Sequence, residues 1–296
     1  MAMKIRILPA SPRAASGRGP EPVDLWQFEF MRRALVAAVL VGLAAPAVGI
    51  FLVQRRLALI GDGLGHVAVT GVALGLVLDR APVGVALLTA TAGAVLLELI
   101  RVRGQTSGDI ALAVLFYGGI AAGVVLVSRA PSGVRNLDAY LFGSITTTSW
   151  SDVAVFAVLT AVVLLVTTVL GRALFSVSND EEFAHATGLP VVPLNLLLAV
   201  LTAFTVVVAM RVIGVLLVSA LMVVPVATAQ LFSRSFRGTV LAGMALGVAV
   251  AVAGVVVSFY ADTPSGGTIV VLAIAVFLFA LAATGARRAV TARSGA

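Results

Sequence analysis

Residues 55–75 have the sequence RRLALIGDGLGHVAVTGVALG, an apolar run that begins with two arginines and contains Asp62 and His66. A run of about 20 apolar residues is what one helical crossing of a bilayer requires. A charge near the centre of such a helix costs about 2.5–3.5 kcal/mol on insertion scales, so the pair needs a structural or functional reason. In a helix this spacing places both side chains on one face, where they can bind one cation or pair with each other.

The composition of the whole chain is that of an integral membrane protein. Of 296 residues, 60% are hydrophobic and 11% are charged, whereas soluble domains have about 25% charged residues. The absence of cysteine excludes disulfides, thiolate metal sites and thiol catalysis. The net charge of +7 comes from arginines that flank apolar runs, which is a topology signal and does not indicate a nucleic-acid partner.

We therefore predict an all-α, multi-pass helix bundle of about 8–10 transmembrane helices, in contact with lipid in the plasma (inner) membrane. Apolar windows predict spans near 34–53, 57–78, 82–100, 110–128, 152–170, 192–210, 212–230, 239–258 and 267–285. The segment 136–148 is short and rich in threonine, so it is expected to be a half-helix or a re-entrant element.

The chain divides into one membrane domain and two tails. Residues 1–24 are rich in Pro, Gly and Arg and predict a disordered N-terminal tail; the transmembrane domain spans 25–290, and 291–296 form a C-terminal tail. Arginines near 234–237 and 287–288, with the polar connection 171–190, predict the cytoplasmic face. The loop 262–267 is then external, and nine spans place the N-terminus outside. Arg211, with no acid beside it in sequence, is expected to snorkel to an interface.

The polar connection predicts a short capped helix within about 178–190. Asn179 or Asp180 can cap its start, acids occupy its first turn, and Gly188 followed by Pro190 ends it. Such a helix between two spans suits the docking of a partner, and the same residues also fit an ordinary solvated loop.

Catalytic motifs are absent from the sequence. Lys4 is the only lysine, so no phosphate-binding loop of the Gly-x-x-x-x-Gly-Lys type can exist, and neither a Ser-His-Asp set nor a His-Glu-x-x-His motif occurs. We expect a non-catalytic chain, with any ATP hydrolysis on another polypeptide.

Four segments, in order, resemble one known family. Arg55–Gly71, Asn179–Gly188, Arg211–Pro225 and Asp262–Thr268 are similar to the permeases of zinc/manganese-type metal ABC importers, over about 32–283. The resemblance implies a permease that forms a homodimer, binds a cytoplasmic ATP-binding subunit, and receives zinc, manganese or iron from an extracytoplasmic metal-binding protein. No permanently bound cofactor is implied.

The resemblance also assigns two sets of residues. The coupling helix would use Asp180, Glu181, Glu182, Phe183, Ala184 and Gly188 to contact the ATPase; His185 stands where the family commonly has arginine. Asp62, His66 and Asp262 would line the metal path, and one imidazole with two carboxylates suits zinc, manganese or ferrous iron.

Alternatives stay open for these residues and for the function. Asp62 and His66 could form an ion pair within the helix, Asp262 could cap the helix that follows it, and Glu98 is expected to pair with Arg101 at the membrane edge. Alternative functions are a permease for a metal chelate (siderophore, haem or cobalamin) and an ATP-independent transporter coupled to protons through Asp62 and Glu98.

Overall fold

The computed structural model describes residues 27–104, 108–129, 140–143 and 148–294, and every element within these ranges that we name is an α-helix. The predicted tail at 1–24 and most of the 136–148 segment lie outside the described residues. The helices are α1 (Glu29–Gln54), α2 (Ile60–Val77), α3 (Pro82–Val102), α4 (Gly108–Val127), α5 (Trp150–Val169), α6 (Gly171–Asn179), α7 (Glu181–Ala186), α8 (Val191–Ile213), α9 (Val215–Gln230), α10 (Phe236–Ala261) and α11 (Ser265–Ser294).

Eight of these helices are long and apolar enough to cross a membrane, namely α1 to α5, α8, α10 and α11. They correspond to eight of the nine predicted spans. The remaining span, 212–230, is the shorter α9 of 16 residues. At the other end of the chain, α11 continues to Ser294, into the segment expected to be the C-terminal tail.

A single glycine separates α8 from α9. Gly214 has φ +89°, a conformation that residues with a Cβ rarely adopt, and an added Cβ would lie 2.3 Å from the carbonyl oxygen of Leu141. Beyond it α9 runs antiparallel to α2, because Gly61 approaches Ser219 and Gly65 approaches Val215. The chain therefore reverses at Gly214, and the predicted span 212–230 is shortened because the preceding helix continues to Ile213 and α9 begins only after the glycine.

Contacts between helix ends define two ends of the bundle. At the α7 end, the Gln54 side chain donates a hydrogen bond of 3.0 Å to Asn179, which joins the end of α1 to the end of α6. At the Asp262 end, the rings of Phe28 and Phe259 have centroids 6.0 Å apart, which places the start of α1 beside the last turn of α10. α1 therefore runs from the Asp262 end to the α7 end, and α11 begins at the Asp262 end, where its Ile269 packs against Gly254 of α10.

Small residues allow the central helices to pack closely. A Cβ added to Gly42 of α1 would lie 2.8 Å from the backbone of Val248, and one on Gly247 of α10 would lie 2.4 Å from the carbonyl oxygen of Gly42. Gly49 meets the backbone of Met222 in the same way. Without a hydrophobic driving force in lipid, such close van der Waals contact is what holds helices together.

Candidate functional site

Asp62 lies in the first turn of α2 and reaches across to α9. Its carboxylate accepts a hydrogen bond from the hydroxyl of Ser219, a buried residue of α9. The two helices meet closely here, because a Cβ added to Gly61 would lie 3.2 Å from the Ser219 Cβ. Ser219 is the only polar side chain between Val212 and Val224, which is the signal by which the sequence could have revealed it.

His66 lies one turn further along α2 and faces α4. Its ring packs edge-on against Phe116, with centroids 4.5 Å apart and an interplanar angle of 77°. Behind it, a Cβ added to Gly119 would lie 3.0 Å from the His66 carbonyl carbon. The Thr70 hydroxyl donates to the Gly119 carbonyl oxygen at 2.6 Å. These contacts hold α4 against the segment of α2 that carries the imidazole.

The two side chains do not pair with each other. Within the described ranges, Asp62 and His66 form neither a hydrogen bond nor an ion pair together; their contacts are to Ser219 and to Phe116. Both are only partly buried. The alternative of an ion pair within the helix is therefore not realised in this conformation, and both groups keep lone pairs for another ligand.

The surroundings of Asp262 differ from those of Asp62 and His66. It ends α10 in the left-handed conformation, with φ 50° and ψ 47°, and is exposed; its N–H donates to the Ser258 carbonyl oxygen. The residues that the structure describes include no group of three or more His, Cys, Asp or Glu side chains placed to hold a metal. This conformation thus brings Asp62 together with Ser219 and does not complete a three-ligand set with Asp262.

The segment between α6 and α8 contains the expected capped helix. The Asp180 side chain accepts a hydrogen bond of 2.9 Å from the Phe183 N–H at the start of α7. At its end, Gly188 has φ +81°, its N–H donates to His185, and the Leu189 N–H donates to Ala184 at 3.1 Å, which together form a Schellman motif. Both ends of this six-residue helix are therefore fixed by hydrogen bonds.

The side chains of α7 divide into two faces. Ala184 is fully buried, whereas Glu182 is exposed and 60% of the Phe183 side chain is exposed. Aromatic residues are enriched at protein interfaces, so the exposed Phe183 is a candidate contact for a partner. Glu182 and Phe183 are thus available to a partner.

Glu181 behaves differently from its neighbours. Its Oε1 accepts a hydrogen bond of 2.9 Å from the Asn195 side chain of α8, and its Oε2 lies 3.6 Å from Arg55 Nη2 and 3.9 Å from Arg101 Nη2. Arg101 also pairs with Glu98 at 3.0 Å, which confirms that predicted salt bridge. Burial, and then the charge of Arg101, lower the pKa of Arg55, while Glu98 and Glu181 act in the opposite direction.

Arg211 has a partner that the sequence did not indicate, because the acid lies far away along the chain. Arg211, in the last turn of α8, pairs with Asp152 in the first turn of α5. Asp152 is buried and also forms a capping box with Ser149. No local pattern could have revealed this pair, since 59 residues separate its members.

An apolar helical bundle with an acid and an imidazole on an inner helix, and a capped helix at one end, has the features of a membrane transport permease. The chain belongs to the ABC 3 transport family, whose model matches residues 27–284. The predicted family, helical fold and membrane location are thereby confirmed.

Individual relatives agree with this membership. The manganese import system permease protein ScaB of Streptococcus gordonii is 30% identical over 254 residues, covering 86% of this chain and 91% of that protein. The high-affinity zinc uptake system membrane protein ZnuB of Haemophilus influenzae is 28% identical over 255 residues, covering 86% and 97%. The structure of PsaBC from Streptococcus pneumoniae in complex with Fab matches with a TM-score of 0.78 and 30% identity, covering 86% of this chain and 92% of that one.

Proposed function

We propose that this chain is the permease subunit of an ABC importer that moves a divalent metal ion, manganese, zinc or iron, into the cytoplasm. The observation that supports this most directly is the Asp62 and His66 pair, one turn apart on an inner helix. Ionisable residues within a membrane bundle mark transport paths by default. Family membership and the similarity to ScaB, a manganese import permease, and to ZnuB, a zinc uptake protein, support the same conclusion.

The ligands that Asp62 and His66 offer suit a site that a transported metal ion occupies briefly. One carboxylate, one imidazole and the Ser219 hydroxyl offer oxygen and nitrogen ligands, which manganese, zinc and ferrous iron accept. A transported ion must also leave, so an incomplete ligand set favours release. Asp262, exposed at the opposite end of the bundle from α7, is proposed to attract the cation on the entry side by its charge.

The packing around the pair favours a bare ion over a bulky chelate. An added Cβ at Gly65 would lie 2.9 Å from Val215, and one at Gly119 would lie 2.9 Å from the Val67 nitrogen. Helices this close leave room beside the pair for an ion but not for a siderophore, haem or cobalamin. The same family membership argues against an ATP-independent transporter.

The partners follow from the class of transporter. We propose that two copies of the permease assemble, that an extracytoplasmic protein delivers the metal, and that an ATP-binding chain docks on α7 through Glu182 and Phe183. The exposure of these two side chains supports this docking role. Closure of the ATP-binding chains would then move α7, and the metal site on α2 would open in turn to the outside and to the cytoplasm.

Uptake of labelled manganese, zinc and iron, in cells that lack this chain, tests the metal assignment. Asp62→Asn and His66→Gln should each lower uptake at least about tenfold, the scale seen when metal sites are altered. Asp79→Asn is the matched control, because Asp79 is an exposed acid beyond the other end of α2. Normal uptake by both site variants, at normal abundance, would overturn the assignment.

Retention of the ATP-binding chain during purification tests the docking role of α7. Phe183→Ala should weaken the association by about 2 kcal/mol or more, as for a central aromatic contact. Phe232→Ala is the control, since Phe232 is also exposed and lies at the same end of the bundle, after α9. Equal retention in both variants would contradict docking through Phe183.

A further inference from the structure

Glu181 is the one acid of α7 that faces the membrane helices. Its carboxylate contacts three of them at once: Arg55 directly follows α1, Arg101 lies in the last turn of α3, and Asn195 lies near the start of α8. Its neighbour Glu182 is exposed and makes no hydrogen bond or ion pair within the described ranges. The Glu181 side chain is itself 48% exposed, so the two adjacent acids differ in their contacts and not in their exposure.

Arg55, one of the three residues that Glu181 contacts, is buried. The Arg55 side chain is only 6% exposed, and its Nη2 has no hydrogen-bond partner among the described residues beyond the ion pair with Glu181. Glu98, whose side chain is 4% exposed, pairs with Arg101 at 3.0 Å and also acts on Arg55 through its charge, but within the described ranges the ion pair of Arg55 is with Glu181. A buried guanidinium beside a second arginine depends strongly on a nearby carboxylate. The position of Arg55 is thus tied to that of Glu181.

A tight turn joins Arg55 to α2, the helix that carries Asp62 and His66. The Arg55 N–H donates to the Phe51 carbonyl oxygen at 3.1 Å, and the Leu57 N–H donates to Leu52 at 2.9 Å. Arg56 adopts a left-handed φ of 60°, and α2 begins at Ile60, two residues before Asp62. A movement of Arg55 therefore passes through a short, hydrogen-bonded connection to the start of α2.

We propose that Glu181 is a positioning residue that transmits the movement of α7 through Arg55 to the turn between α1 and α2, and so to Asp62. Its ion pairs and hydrogen bond join its carboxylate to the membrane helices, so we assign the docking of the ATPase to Glu182 and Phe183. The proposal rests on the proposed function, since it requires an ATP-binding chain on α7.

The test uses the complete complex in proteoliposomes, with labelled manganese or zinc and simultaneous measurement of ATP hydrolysis. Glu181→Gln keeps the size of the side chain and its reach to Asn195 but removes the charge that faces Arg55 and Arg101. We expect normal retention of the ATP-binding chain and a fall of about fivefold or more in metal transported per ATP hydrolysed, the usual scale of coupling between sites. Asp79→Asn, at an exposed acid beyond the far end of α2, is the control and should leave this ratio unchanged.

A double-mutant cycle makes the assignment specific. Arg55→Gln should lower the ratio as Glu181→Gln does, and the double variant should be no worse than either single variant, because both remove the same link. Thermal unfolding of each purified variant establishes that it is folded.

Two results would overturn the proposal: an unchanged ratio in Glu181→Gln, or a double variant whose losses multiply. Loss of the ATP-binding chain from Glu181→Gln alone would likewise overturn it, in favour of a docking role. If the unmodified complex transports none of the metals, the proposed function fails instead, and the ratio is not defined.

Discussion

Asp62 is tolerated in an apolar run for two local reasons. It is the third residue of α2, so the partial positive charge of the helix N-terminus favours its carboxylate. Ser219 supplies a hydrogen bond from the neighbouring helix. His66, deeper in α2, has an aromatic ring as its neighbour. The acid is thus stabilised in place, while the imidazole keeps its polar atoms for another ligand.

Two adjacent glycines of α4 allow the packing behind His66 to be tested. Gly119→Ala would place a Cβ 2.9 Å from the Val67 nitrogen, so we expect it to destabilise the protein by about 1–3 kcal/mol, as overpacking does. Gly118→Ala meets nothing within 4 Å and should be neutral or slightly stabilising, because alanine favours helix. Thermal unfolding in detergent compares them, and equal melting temperatures would contradict this packing.

At the scale of the helices, the ion pair between Asp152 and Arg211 joins α5 to α8 at the Asp262 end. The Asp152 carboxylate, 9% exposed in its side chain, pairs with Arg211 and accepts hydrogen bonds from the N–H and hydroxyl of Ser149, at 3.0 and 2.7 Å. Arg211 lies three residues before Gly214, where the chain reverses. The pair therefore fixes the end of α8 beside the start of α5.

Removing one member of this pair should be worse than neutralising both. Arg211→Met leaves the buried Asp152 carboxylate with Ser149 alone, and we expect a loss of about 1–3 kcal/mol of stability. Adding Asp152→Asn removes the unpaired charge and should recover part of that loss, since contacting residues are not additive. Unfolding of the single and double variants in detergent measures both effects; a double variant that is less stable than Arg211→Met would argue against the pair.

For the whole molecule, the orientation of helices predicts where each end of the chain lies. α1 begins and α11 begins at the Asp262 end, so residues near Phe28 and Thr263 should share one side of the membrane, and α7 should lie on the other. The proposed function places α7 in the cytoplasm. By the positive-inside rule, the arginines of the first 33 residues would instead predict a cytoplasmic N-terminus, on the same side as α7.

The absence of cysteine makes this topology directly measurable. Phe28→Cys and Thr263→Cys should each react with a membrane-impermeant maleimide in intact cells, whereas Phe232→Cys, at the α7 end, should react only after the cells are opened. The unmodified chain is the control and should not react at all. Labelling of Phe28→Cys and Thr263→Cys from different sides would contradict the arrangement of α1 and α10.

The class of fold was predictable from the sequence alone, and the sequence also made Asp62 and His66 candidate metal ligands. Apolar length identified eight of the membrane helices, and the Asp180 and Gly188 signals predicted the capped helix, because both depend only on neighbouring residues. The Asp62 and His66 pair was visible for the same reason, as two polar groups in one apolar run.

The partners of those residues were decided only by the tertiary structure. Ser219 reaches Asp62 across 157 positions, and Asp152 reaches Arg211 across 59. Glu181, which the resemblance assigned to the ATPase contact, forms ion pairs with Arg55 and Arg101. The shortness of α9 also depended on how Gly214 packs against Leu141. The physical reason is that helix formation in lipid follows from local hydrophobicity, whereas the partner of a polar group depends on which helices pack together and in which register.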